Sequence, residues 1–296
     1  DGRGVRCFLN GEPGTGVVPA EVDSPMGVAG ATHGNRFLNI GDSVVAISSS
    51  GALRAGGTRL ITAIAADGTD FTVSAAYDTA WADNDYIVKA YGADASIAIE
   101  NTEWNHAPMG LLGHLDDGTY VSNYHGIDRD QYVVFRTPVI SSVGSLSLDV
   151  LQRAFDLSSQ LGNAKISAMW SHHSVRRAYL VLLESDRRYT GGDLMSPDGG
   201  TKAVKGGEIT YGNVPFRVAP FAPYNIIFGL DKRHMTRYVN TEGEWIDEDG
   251  AVLSRVADTD AFECSYRIFE NTHYERPNAS FRLDGVNATA VVAHVM

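Results

Sequence analysis

The sequence predicts an α+β protein, and three observations carry that expectation. Residues 17–91 read as short strands throughout, two helical patterns follow residue 147, and strands dominate again from residue 206. With 296 residues, 44% of them hydrophobic, the chain can bury one large core or two modest ones.

Residues 4–10 form a short extended segment that runs into Gly11-Glu12-Pro13-Gly14-Thr15-Gly16, a turn or linker. In the β-rich block, a Gly41-Asp42 turn enters the apolar run Val44-Val45-Ala46-Ile47. Residues 59–65 and Phe71-Thr72-Val73 flank Asp67-Gly68 as a hairpin, and Asn84-Asp85 leads into Tyr86-Ile87-Val88. Short strands at this spacing predict a small barrel or sandwich. Residues 93–143 read as loop with short strands, among them Tyr132-Val133-Val134-Phe135.

Ser147 is placed to cap a helix whose stripe is Val150, Leu151, Ala154, Leu157, Ser158 and Leu161, with Gly162 as its C-cap. After the strand-like residues 165–170, Ser171 caps a second helix with the stripe Val175, Ala178, Tyr179, Leu182 and Leu183. Arg187 and Arg188 suit its last turn, and Gly191-Gly192 ends it. Residues 208–211, a Gly212-Asn213 turn and residues 214–218 predict a strand pair, followed by a strand at 225–229. Residues 245–253 predict a hairpin around Asp249-Gly250, and the alternation at 262–269 predicts a long strand with one face covered.

The chemistry-bearing residues do not converge. Asp247-Glu248-Asp249-Gly250 lacks the later Glu and the alternating ligands of a calcium loop. His172 and His173 are adjacent, so on a helix they point about 100° apart and read as first-turn surface residues. Glu184 and Asp186 fall on different helix faces, and no Lys-Ser/Thr follows the glycines at 11–16 as a phosphate loop requires. Asn278-Ala279-Ser280 and Asn287-Ala288-Thr289 match glycosylation spacing by chance, and no nucleophile elbow occurs. Cys7 and Cys264 read as free thiols. The expectation is an architectural protein without catalytic residues, cofactor or metal. A net charge of −12 argues against a protein that grips phosphates, and no stretch approaches the roughly 20 apolar residues of a membrane span. Because Asp1-Gly2 opens the chain without a Met, a preceding segment is expected.

From Ser147 onward the order of elements resembles the major capsid protein of tailed bacteriophages, the Hong Kong 97-type fold. The resemblance rests on Trp170-Ser171-His172-His173-Ser174-Val175-Arg176-Arg177-Ala178-Tyr179, on the glycine-led strand pair at 207–218, and on Ala219-Pro220-Phe221-Ala222-Pro223-Tyr224 leading into Asn225-Ile226-Ile227-Phe228-Gly229-Leu230-Asp231. Asp260-Ala261-Phe262-Glu263 and Arg276-Pro277-Asn278-Ala279 extend it. It covers half to two-thirds of the chain through diffuse patterns.

The resemblance implies a domain plan. Residues 1–10 would end a peripheral spine segment and 11–92 would be a β-rich insertion domain. Residues 93–145 would connect to an axial domain at 146–235, with helices flanking a central sheet. Long peripheral strands would occupy 236–283, and 284–296 would return to the axial domain. The family's N-terminal arm, extended loop and spine helix are not visible, and no crosslinking residues can be assigned. It also implies interface roles for Lys202, Lys205, Tyr211, Arg217, Arg255, Arg267, Arg276 and Arg282. The partners would be copies of the chain in pentamers and hexamers, with scaffolding, portal and decoration proteins. The resulting virion shell, assembled in the host cytoplasm, would enclose double-stranded DNA without reading its sequence. Two alternatives stand beside it: a phage tail, baseplate or decoration protein, and a carbohydrate-binding or hydrolytic β-domain prompted by Trp81, Trp104 and Trp245.

Overall fold

The structure is a computed structural model that describes residues 4–13, 19–23, 34–75, 80–91, 97–104, 106, 108–185, 209–247, 250–255, 262–264 and 266–288. It is mixed α+β, mostly sheet with few helices. Six strands close a barrel in the order β1-β2-β5-β4-β3-β6. They are β1 (Val5–Leu9), β2 (Ala20–Asp23), β3 (Ser43–Ile47), β4 (Arg59–Ile64), β5 (Asp70–Val73) and β6 (Tyr86–Lys89). The barrel therefore starts before the glycine-rich passage: residues 5–9, read from sequence as a separate segment, supply its first strand. Closure leaves no open sheet edge.

Alternation along each strand sets the barrel's two surfaces. Cys7, Leu9, Val44, Ala46, Phe71, Val73 and Ile87 fill the interior with Trp81. Val45, Ile47 and Val88 point outward, yet they too are buried, under Ile97 and Trp104. Both faces of β3 are covered, which is why its sequence is a continuous apolar run instead of an alternating one. The β4–β5 hairpin matches the expectation, with Ile61 opposite Val73, Gly68 at φ 83° and Thr69 donating to the Asp67 carboxylate.

The rest of the chain is built on a six-stranded sheet of order β11-β12-β10-β13-β18-β9. In chain order this part begins with α1 (Leu111–His114), the two-residue strands β7 (Asn123–Tyr124) and β8 (Ile127–Asp128), β9 (Val139–Ile140), α2 (Leu148–Gly162), β10 (Ala168–Ser171) and α3 (His173–Ser185). Then follow β11 (Ile209–Tyr211), β12 (Val214–Val218), β13 (Ile227–Leu230), β14 (Met235–Trp245), β15 (Ser254–Arg255), β16 (Phe262–Glu263), β17 (Tyr266–Tyr274) and β18 (Phe281–Leu283). Met169, Phe216, Gly229 and Phe281 are register neighbours and share one face. Tyr179 of α3 stacks on Phe216 at 5.2 Å, and Phe155 of α2 packs on Phe281 at 5.2 Å. Both helices thus lie on the same face. They do not flank the sheet from two sides, because residues 109–137 cover the opposite face, where Leu115 packs with Phe228, Leu230 and Tyr274.

The helix caps differ in detail from the sequence reading. Ser147 caps α2 as expected, accepting from the Val150 amide at 3.2 Å. Its C-terminus turns left-handed at Asn163 (φ 49°), not at Gly162, the last helical residue. Gly162 is needed for another reason: a Cβ there would overlap the Asn278 carbonyl and the Ala279 backbone. Ser171 is a buried strand residue and does not cap α3. That helix starts at His173, and the His172 ring Nδ1 accepts the Ser174 amide at 3.2 Å. His172 is consequently buried, contrary to the surface reading, and burial and neighbouring His173 and Arg36 lower its pKa. The expected residues Arg187, Arg188, Gly191 and Gly192 lie outside the described residues.

Two further expectations change. Val133–Phe135 is a 3-10 turn, and Tyr132, Val133 and Val134 are exposed. Residues 245–253 do not make their own hairpin, since β14 continues through Trp245 and pairs antiparallel with β17. The Gly250 amide donates to the Asp247 carbonyl at 2.8 Å.

Candidate assembly interface

The β14–β17 ribbon is two strands wide, and its 11-residue strand spans roughly 35 Å at the usual strand rise. Tyr266 and Ile268 alternate with Arg267 and Phe269 along β17, and the cross-strand partners place Trp245 with Tyr266. Tyr238, opposite Asn271, shares the face of Phe269. Tyr238, Trp245, Tyr266, Ile268 and Phe269 are each 52–58% exposed. Both faces of the ribbon carry exposed apolar side chains, and among the described residues neither face is covered, in contrast to the expected single covered face. Trp245 and Tyr266 meet edge-on at 5.0 Å, and the Arg237–Glu270 and Arg267–Glu244 pairs tie the strands together. Register irregularities flank Thr241, and a Cβ at Gly243 would meet the end of the exposed Tyr266 side chain, which would have to shift.

The base of the ribbon is anchored to the segment over the sheet by buried polar groups. The Asp116 carboxylate accepts from the Gly118, Tyr120 and Val121 amides and from Arg282 Nη1 at 3.0 Å, with Arg129 Nη1 at 3.5 Å. Arg129 donates to the carbonyls of Gly113, His114, Val121 and Phe135. One fully buried guanidinium thereby organises a stretch that has little regular structure. Across the seam, Tyr124 donates to the Tyr274 carbonyl or to His114 Nδ1 and accepts the Tyr274 amide at 3.0 Å. Burial pushes its phenol up to about 12. On the far side, burial raises the Asp231 carboxyl, but Arg233 and the Lys165 and Arg233 amides outweigh it and bring the group to about 2.

The residues expected at interfaces scatter. Lys202 and Lys205 lie outside the described residues. Tyr211 is turned inward, donating to Gln152 at 2.9 Å and packing on Phe155. Arg217 lies beside Trp170, its guanidinium 5.8 Å from the ring centre. Arg276 donates to the Gly162 carbonyl at 2.9 Å and closes the end of α2. Arg282 is 1% exposed and spent on Asp116, Asp284 and the Leu115 carbonyl, so it belongs to the core and is corrected from the interface set. Arg255 is exposed on β15, and Arg267 is on the ribbon. The apolar ribbon residues were the missed signal: Met235–Trp245 mixes Thr, Arg, Asn and Gly with its aromatics and shows no clean alternation.

Among the described residues, no group of three or more His, Cys, Asp or Glu side chains is placed to hold a metal, and no helix is long and apolar enough to cross a membrane. No protein-family model and no curated protein matches the chain.

Proposed function

We propose that this chain is the structural major capsid protein of a tailed bacteriophage, of the Hong Kong 97 type, and assembles into pentamers and hexamers of an icosahedral shell around double-stranded DNA. The observation that carries the reading is the β14–β17 ribbon, with aromatic and aliphatic side chains exposed on both faces. A monomer gains nothing from such a ribbon, whereas burial of each large apolar side chain contributes about 1.5–3 kcal/mol when a neighbour covers it. A helix-bearing sheet beside an elongated strand arm suits a wedge that tiles with its own copies, and the closed barrel suits an inserted domain that adds no edge to the assembly. The role is architectural, and its energetics are those of several modest contacts added together.

Electron microscopy of the purified full-length product tests this. Rings of five or six subunits, or closed shells, are the expected result. A monodisperse monomer under all assembly conditions overturns it, and tubes or knobs would favour a tail or baseplate role.

A further inference from the structure

Three histidines from three separate elements meet where the ribbon joins the body. His114 ends α1, His125 lies in the turn between β7 and β8, and His273 is on β17. The His125 ring is 6.1 Å from His114 and 5.1 Å from His273 between ring centres, and Tyr124 packs against all three. Tyr238 of β14 faces His273 at 6.4 Å, and Arg129 sits over the Tyr124 ring at 4.5 Å.

The hydrogen bonds fix the tautomer of the neutral His114 ring. Thr272 Oγ1 donates to the Met109 carbonyl, so it accepts from His114 Nε2 at 2.9 Å. In a neutral ring Nδ1 then accepts the Tyr124 hydroxyl at 2.8 Å. Both ring nitrogens hold the seam, one through Thr272 of β17 and one through Tyr124, whose oxygen receives the Tyr274 amide. The other charges that bear on this ring are cationic: His125, His273 and Arg129, the last already facing its counterion Asp116.

We propose that the His114–His125–His273 cluster is an acid-sensitive joint, which holds the ribbon to the body while the buried His114 ring is neutral and releases it when that ring becomes charged. Burial first, then His125, His273 and Arg129, bring His114 down from 6.5 to about 4 against a smaller opposing effect of the Met109 carbonyl, and burial with the same neighbours lowers His125. A histidine held down in the closed joint takes up its proton more readily once the joint opens. The closed form therefore keeps its full advantage above pH 6.5 and loses it as pH falls toward 4. The joint lies within one chain and is independent of the assembly proposed above.

Amide hydrogen exchange of the full chain tests it, with the Tyr274 amide as reporter because it donates across the seam to Tyr124. After correction for the intrinsic pH dependence of exchange, protection at Tyr274 should fall on the order of tenfold or more between pH 7.5 and pH 5, while Ile87 and Val88 in the barrel stay protected. The double variant His125→Asn, His273→Gln should lessen that fall, with the part due to burial of His114 remaining; Asn tolerates the left-handed backbone of His125 (φ 49°). A seam whose protection does not change with pH in the unaltered chain overturns the proposal without need of the variant. So does a fall shared equally by the barrel, or a double variant with undiminished pH dependence.

Discussion

Asp116 faces two guanidiniums, Arg129 and Arg282, that are almost wholly buried. Asp116→Ala leaves Arg129 short of its counterion, Arg282 with Asp284 alone, and three amides short of an acceptor. It should cost about 3–5 kcal/mol of unfolding free energy by denaturant titration. The two cysteines should separate just as clearly. Cys7 is buried in the barrel, which pushes its thiol far up, while Cys264 is exposed. A thiol reagent at neutral pH should label Cys264 alone in the native chain, and both after denaturation, as read by intact mass. None of the buried polar pairs was legible in the sequence. Arg282 reads as one of several arginines on a strand, and its partner Asp116 is 166 residues away. His172 likewise looks like a helix-start residue until Tyr224 is seen closing over it at 4.2 Å.

Elements were legible where local rules decide them. The β4–β5 hairpin follows from an Asp-Gly turn between alternating residues, and α2 follows from its stripe and its serine cap. Ser147→Ala should accordingly cost about 1 kcal/mol by thermal or chemical denaturation. Val133–Phe135 was misread since three β-branched or aromatic residues in a row favour a strand, yet only the turn lets Arg129 collect the Phe135 carbonyl. The ribbon was half-read. Alternation in β17 signals a strand, but nothing local says whether its apolar face meets the same chain or another one. Replacing Tyr238, Trp245, Ile268 and Phe269 with serine should leave monomer stability within about 0.5 kcal/mol per site, as is usual for exposed positions. The same variant should fail to form rings or shells in micrographs.

At the scale of the whole molecule, strand order was the least legible feature. The sheet places β10 between β12 and β13 and inserts β18 between β13 and β9, so β18 pairs with a strand more than a hundred residues before it. Charge bears on assembly in a simpler way. Copies carrying −12 each repel one another, and raising ionic strength from ~0.05 M to ~0.3 M shortens the range of that repulsion. The protein concentration at which oligomers appear in light scattering should therefore fall as salt rises.

The placement of β18 also sets a timetable on the ribosome. The barrel has all six of its strands once residue 89 has emerged and can close while translation continues. The sheet, by contrast, lacks an inner strand until residue 283 is out, so α2 waits through more than a hundred further codons, and α3 through nearly as many, with apolar surface uncovered. A nascent chain stalled shortly after the barrel should already resist protease there, and one stalled before β18 should still be cut in the region of α2.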